Sequence, residues 1–500
     1  MNRRKFIQLG LTTGALAASG CSVIGKQMAI QDLPDELELL PPGPTNTAKE
    51  NIDPLWRLLN RAGYGPRPGD YAKAQTVGYE QWLEQQLAPD TLDDTAAELI
   101  MSGLSLYNAD LNYMLGFDLD DGLRDLIWAT VARQIYSERQ LYEAMVEFWS
   151  DHFTIYARTN QVLVFFKIVD DRDVIRPHAL GNFRELLHAS VRSPAMLFYL
   201  NNAKNFAEAP NENYARELME LHTLGVFGGY NQDDVMNVAR ILSGLTVKRR
   251  GLGQGQTTFR NEHHDDDAKM VMGQSYPAGM GEDEIATLVD FLVDQPATAE
   301  HIATKMVRRF VADEPPADLV TEVAQVFRDT DGDIKAMLRT IFLSEQFKTA
   351  PPKLKRPVHY IVSSLRALNV NVRLSRDLYA RFQAMGQVPF MWPTPDGYPD
   401  VADAWVNNQL PRWNYANDLV HDKLEGVGFE PTKLLELVDS NQPADILDLF
   451  YTLLLGQVPQ SDQRQLLLDY VAKGEGRGER MNRLREAVGL IVAGPEFQLI

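Results

Sequence analysis

The run Asn211-Glu212-Asn213-Tyr214-Ala215-Arg216-Glu217-Leu218-Met219-Glu220-Leu221-His222-Thr223-Leu224-Gly225 holds the densest set of reactive side chains in the chain. Tyr214 to Leu224 are nearly all good helix formers, Asn211 or Asn213 can cap the start, and Gly225 stands where a C′ glycine ends a helix. The spacing predicts one helix. At about 100° per residue, Asn213, Arg216, Glu217 and Glu220 share a face, with Tyr214, Leu218, Leu221 and His222 spread around the other. Glu217 and Glu220 are then neighbours able to hold a divalent metal, with Arg216 or Asn213 behind them. The spacing is not the Glu-x-x-His of di-iron bundles, so taken alone it favours a solvated acidic face with an Arg216–Glu220 pair. His222, in the last turn, suits the helix dipole.

A second grouping lies where the helical pattern Glu138–Trp149 runs into Ser150-Asp151-His152-Phe153. Glu147 and Asp151 are one turn apart, so this helix end can offer two carboxylates and an imidazole to one site. The alternative is a hydrogen-bonded core histidine, since His152 is flanked by Phe148, Trp149 and Phe153. His178 sits in the loop Val174–Gly181 without helical partners. His263-His264-Asp265-Asp266-Asp267 reads as a solvated turn, because adjacent loop residues rarely aim at one point; one of its histidines is free to reach a site built elsewhere. Asp329-Thr330-Asp331-Gly332-Asp333 resembles the start of a calcium loop, but Ile334 and Thr340 stand where that loop needs Gly and Glu. Capping of the helix Ile334–Leu343 accounts for these aspartates.

The elements that must position these groups are helical almost throughout. Apolar periodicity marks Leu55–Arg61, Tyr79–Leu87, Asp125–Tyr136 and, later, Ala299–Val311, Ala317–Phe327, Val358–Leu368, Asp377–Ala384, Ala404–Leu424, Ala444–Leu455, Gln463–Ala472 and Arg483–Ala493. Asn182 and Asn231 are caps, the latter with Asp234 at N3, and Ser193-Pro194 is a cap followed by an N1 proline. Between Leu252 and Gly279 the helical period is lost, and Thr257–Arg260 with Lys269–Met272 suggests a hairpin around the charged loop. The expected fold is mainly α: a large multi-helix globular body with one small β-hairpin and irregular loops. Its divisions are an N-terminal helical region 51–250, a hairpin insert 251–280 and a C-terminal helical region 281–500. The Pro- and aromatic-rich stretch Met385–Pro399 reads as a packing strap rather than a lid. No Gly-rich phosphate loop, nucleophile elbow or haem-attachment motif is present.

Composition narrows the chemistry. With 45% hydrophobic residues over 500 positions the core is ample. Cys21 is the single cysteine, which excludes an intrachain disulfide, a thiolate metal site and a cysteine nucleophile in the body. Asn2-Arg3-Arg4-Lys5-Phe6-Ile7-Gln8, with the mild apolar run Leu9–Gly20, looks like a twin-arginine export signal, too short to span a membrane. It ends in Ala18-Ser19-Gly20-Cys21, which resembles a lipoprotein processing site with Ala18 in place of leucine. Cys21 is therefore the expected lipidation site, and residues 22–50, rich in proline, the expected disordered tether. Removing Arg3, Arg4 and Lys5 from the 49 basic residues leaves 46 against 68 acidic, a net charge of −22. Such a surface repels nucleic acid.

With these stretches in hand, the chain resembles the bacterial domain-of-unknown-function 1800 family. The resemblance rests on Leu58–Pro66, Phe148–Phe153, Ile175–Phe183, Asn211–Gly225, Gly228-Gly229-Tyr230 and Gly494-Pro495-Glu496-Phe497. At Met391–Tyr398 the chain departs from the family's more usual Pro-Pro-Asn-Val-x-Gly-Trp. The resemblance implies an exported, largely helical protein, often encoded beside an exported protein like sulfatases and phosphatases. It implies no agreed reaction. His152, His178, Glu217, Glu220 and His222 all fall inside its motifs. Together the readings point to a polar pocket of Asp151, His152, His178, Asn213, Arg216 and His222. A divalent transition metal would be held by Glu217, Glu220 and His152, and Arg216 or Asn213 would orient an anionic substrate. The competing expectation is a non-enzymatic binding or assembly protein in the periplasm, a partner of the phosphatase- or sulfatase-like neighbour, whose polar residues tie helices together.

Overall fold

Most of the predicted caps bond as expected, but Ser193, at the start of Pro194–Tyr199, donates its hydroxyl to Asp170 Oδ1 at 2.6 Å in place of capping. Asn231 and Asp234 form a reciprocal capping box on Gln232–Ile241, Asn182 caps Phe183–Val191, and Asp333 caps Ile334–Leu343 through the Ala336 amide. Prolines open Pro194–Tyr199, Pro296–Phe310, Pro357–Ala367 and Pro443–Leu455 at the position where a missing N–H does no harm. The computed structural model describes residues 21–30, 33–39, 52–248, 251, 253–459 and 462–500. Residues 1–20, with the export-type signal, lie outside the described residues, as do 31–32 and 40–50 of the expected tether. No described helix is long and apolar enough to cross a membrane.

The helices enclose two contiguous hydrophobic cores. One is built from Leu55–Leu87 and from Leu141 to Ala350; the other joins Ile100–Tyr136 to Val358–Phe497. The cores therefore ignore the chain divisions at 250 and 280, because the long helix Leu119–Tyr136 packs with the C-terminal third. Helix Gln140–His152 lies at the seam, with Leu141, Met145, Phe148 and Trp149 in the first core and Ala144 in the second.

Two expectations are corrected. The stretch Thr257–Arg260 does not pair with Lys269–Met272. Thr257–Phe259 pairs antiparallel with Leu245–Val247, and Lys269–Val271 with Gln274–Tyr276, so there are two hairpins in place of one. The second closes through Met272 and Gly273, both at positive φ as a tight two-residue turn requires. The tether also departs from expectation. Residues 21–30 are helical, Ala29 enters the second core, and Ile30, Leu33, Leu37 and Leu39 pack against it. The Leu37 amide donates to the Leu437 carbonyl at 3.0 Å. These apolar side chains supply the burial that a solvated linker lacks.

Candidate functional site

Two helices present complementary stripes at the seam. On Gln140–His152, Glu143, Glu147 and Asp151 follow one another at i,i+4 spacing; on Pro296–Phe310, His301, Lys305 and Arg309 do the same. The stripes meet where Arg309 Nη2 donates to Glu147 Oε2 at 2.8 Å. Arg356, the N-cap of Pro357–Ala367, donates Nη2 to Glu147 Oε1 and Nη1 to Asp151 Oδ2 at 2.8 Å. Asp400 closes the group, 2.9 Å from Arg309 Nη1 and 3.3 Å from Arg356 Nη1. Tyr64 adds its hydroxyl to Glu147 Oε2 at 2.6 Å.

The central helix is not one regular α-helix, which is a further correction. Glu212–Glu217 is α-helical, and Leu218–Thr223 widens into a π-helical turn, with the Leu224 amide reaching the Met219 carbonyl at 2.8 Å. Glu217 and Glu220 remain neighbours and half-buried, while His222 turns fully inward. Two imidazoles then cap the carbonyls that this helix end leaves unpaired: His301 Nε2 donates to Leu221 O and His152 Nε2 to His222 O, each at 3.1 Å. The rings of His222 and His301 lie 6.0 and 6.2 Å from that of His152. His152 Nδ1 and both ring nitrogens of His222 are sealed from solvent without partners. His222 is thus no charged partner for the helix dipole, because burial, with Lys305 nearby, pushes it down to about 3 and keeps it neutral.

The stretch Met385–Pro399 is a strap, tied by Tyr199 Oη to Pro393 O at 3.0 Å and by Tyr398 Oη to Val388 O at 2.8 Å. Gly397 lies on the end of the Asp151 helix at φ +79°, where a Cβ would meet the Asp151 carbonyl oxygen at 2.1 Å. Only glycine fits there. The cavity left between strap and helix is ≈ 30 Å³, too small for a substrate, so the strap is shut onto the helix.

A family model described as a protein of unknown function, DUF1800, matches residues 57–499. The chain belongs to the DUF1800 family. No curated protein and no solved structure matches it.

Of the residues marked in the sequence, this DUF1800 fold brings together Asp151, His152 and His222. His178 spends Nδ1 on the Val174 carbonyl at 2.7 Å, within its own helical turn. Asn213 donates to Leu200 O at 3.1 Å, and Arg216 pairs with Glu212 and Gln232 at 2.9 Å. These three act locally. Among the described residues no three His, Cys, Asp or Glu side chains gather as a metal's ligands would, so His152, Glu217 and Glu220 do not meet at one point. His264 likewise leaves the solvated turn expected of it. It is buried, with Nδ1 2.9 Å from Ser243 O, above the interior Lys269–Glu284 pair.

Lys305, Arg309, Arg356, Asp400 and His301 escaped the sequence reading. The signal for the helical ones was the stripe of bases at 301, 305 and 309, matched in spacing by the acids at 147 and 151. Burial alone would raise Glu147 and Asp400, but Arg356 and then Arg309 outweigh it and hold both below the ordinary carboxylate range. For Asp151 burial wins over Arg356, and Glu147 adds to it, so the carboxyl is pushed up to about 6. Lys305 differs from its neighbours one turn to either side along the helix. His301 and Arg309, one turn to either side, are pinned, yet no described carboxylate lies within ion-pair reach of Lys305. Burial pushes its amine down to about 8, against the attraction of Asp400, Asp151 and Asp396. Lys305 is half-buried, and its Nζ is not among the sealed polar atoms of the interior.

Proposed function

We propose that this protein is an enzyme of general acid–base chemistry, with Lys305 and Asp151 as the groups that move protons. It is exported by the twin-arginine route and held at the periplasmic side through lipidated Cys21. The observation that carries the reading is the unpaired amine of Lys305 between two pinned neighbours, beside ring nitrogens of His152 and His222 that likewise have no partners. Purely structural clusters saturate such groups, as Glu147, Arg309, Arg356 and Asp400 do here. Asp151 near 6 and Lys305 near 8 bracket neutral pH, where acid–base groups work best. The three neutral histidines beside Lys305 add no positive charge and leave a polar wall against which a substrate can be oriented.

A second reading, an assembly partner of a phosphatase- or sulfatase-like exported protein, draws on a different place. Leu410, Trp413, Leu466 and Leu490 are exposed, and the last three line an open, mainly apolar groove of ≈ 760 Å³.

Turnover separates the two. Mature protein and a Lys305→Met variant are incubated with a periplasmic small-molecule extract and the mixtures compared by mass spectrometry. We expect at least one compound to be consumed by the wild type and its consumption to fall about 100-fold or more in the variant, the usual scale of a lost acid–base group. Extracts left unchanged by both proteins would contradict the enzyme reading.

A further inference from the structure

The acid–base reading leaves the substrate class open, and the inference drawn here rests on that reading. The surroundings of Lys305 argue against an anion. Arg309 and Arg356, the cations nearest the acidic stripe, are consumed by Glu147, Asp151 and Asp400. Asp396 of the strap acts electrostatically on both Lys305 and Glu217, and Glu220 lies beside Glu217. Asp400, Asp151 and Asp396 already act on the amine and repel a negatively charged molecule approaching it. Arg216 and Asn213, expected to orient an anionic substrate, are engaged elsewhere.

An amine without a counter-ion, half-buried between fixed neighbours, is suited to attack rather than to pairing. We propose that Lys305 is a covalent site for neutral carbonyl compounds, such as aldehydes or the open-chain form of a reducing sugar, which it binds as an imine. In its free-base form Nζ bonds to the carbonyl carbon while the carbon–oxygen π pair moves to oxygen, which takes up a proton. The carbinolamine then loses that oxygen as water, and the nitrogen pair forms the C=N bond. Both amine hydrogens end on the expelled water, and no oxidant or reductant is consumed.

Reductive trapping tests this. The full mature protein is treated at pH 7 with limiting glycolaldehyde and cyanoborohydride, which reduces the imine to a stable secondary amine, and the lysines are mapped by peptide mass spectrometry. At pH 7 an amine titrating near 8 holds about 300 times more free base than one at the ordinary 10.5. Its lower basicity blunts part of that advantage, so we expect Lys305 to be labelled at least about tenfold above the mean of the other lysines. A Lys305→Arg variant should lose this label without gain elsewhere, and glyoxylate, the anionic analogue, should label Lys305 less than glycolaldehyde. Labelling of Lys305 at or below the lysine mean would overturn the proposal. If Lys305 nonetheless titrated near pH 8, the acid–base reading would stand and the imine alone would fall.

Discussion

Replacing Arg356 with alanine is expected to destabilise the protein by about 3–5 kcal/mol, the range for removing one partner from a buried ion group. Its side chain is 6% exposed and bonds Glu147 and Asp151, with Asp400 3.3 Å away. Truncation leaves Arg309 to serve Glu147 and Asp400, and leaves Asp151 with no cation in contact. The loss is large because the three carboxylates stay largely buried after the cation is gone, not because the intact group is strongly stabilising. Arg356→Lys should recover only part of it, since an ammonium cannot present the planar fork that reaches two carboxylates at once. Urea unfolding with an unchanged slope checks the value. A loss below about 1 kcal/mol would mean that the group is solvated like a surface ion pair.

Stability is also expected to fall steeply on mild acidification. His152, His222, His301 and His359 are all pushed below their ordinary 6.5, mainly by burial, His222 to about 3 and His301 to about 4. As the pH drops below 6.5 the unfolded chain takes up four protons that the folded chain refuses, so unfolding is favoured. Asp151 works the other way. Raised to about 6, it binds a proton in the folded state before it does so in the unfolded chain, which favours folding between pH 6 and the ordinary carboxylate range. The net is about three protons, or roughly 4 kcal/mol per pH unit near pH 5. Glu147 and Asp400, held down by Arg356 and Arg309 against burial, add their loss only at lower pH. Between pH 7 and pH 5 the protein should lose roughly 5 kcal/mol, comparable to the whole stability of many domains. Urea midpoints at pH 7, 6 and 5 measure this directly. A flat profile would mean that the histidines are protonated in the folded state.

What was legible in the sequence was local. Asn231 with Asp234, Asn182 and Asp333 announce helix starts because a cap needs only three or four neighbouring residues. The Glu147, Asp151 and His152 group was legible for the same reason, since one helix carries all three. His222 was marked as a residue of interest, but its inward turn depends on the π-helical segment, which no spacing rule for a regular helix anticipates. The partners of Glu147 were hidden for another reason. Arg309 and Arg356 lie 162 and 209 residues further along the chain, and a base on an amphipathic helix reads as a solvated face until its opposite helix is known. The second hairpin was missed because Met272 gives no hint of the left-handed conformation that closes it.

The central claim is that the Lys305 amine has no counter-ion. It is tested most directly by NMR of the mature protein labelled at the lysine side chains, with the Nζ signal of Lys305 assigned by its loss in Lys305→Arg and followed against pH. The account predicts titration near pH 8, well below the surface lysines. Titration together with them near 10.5 would place a counter-ion on Lys305 and contradict it.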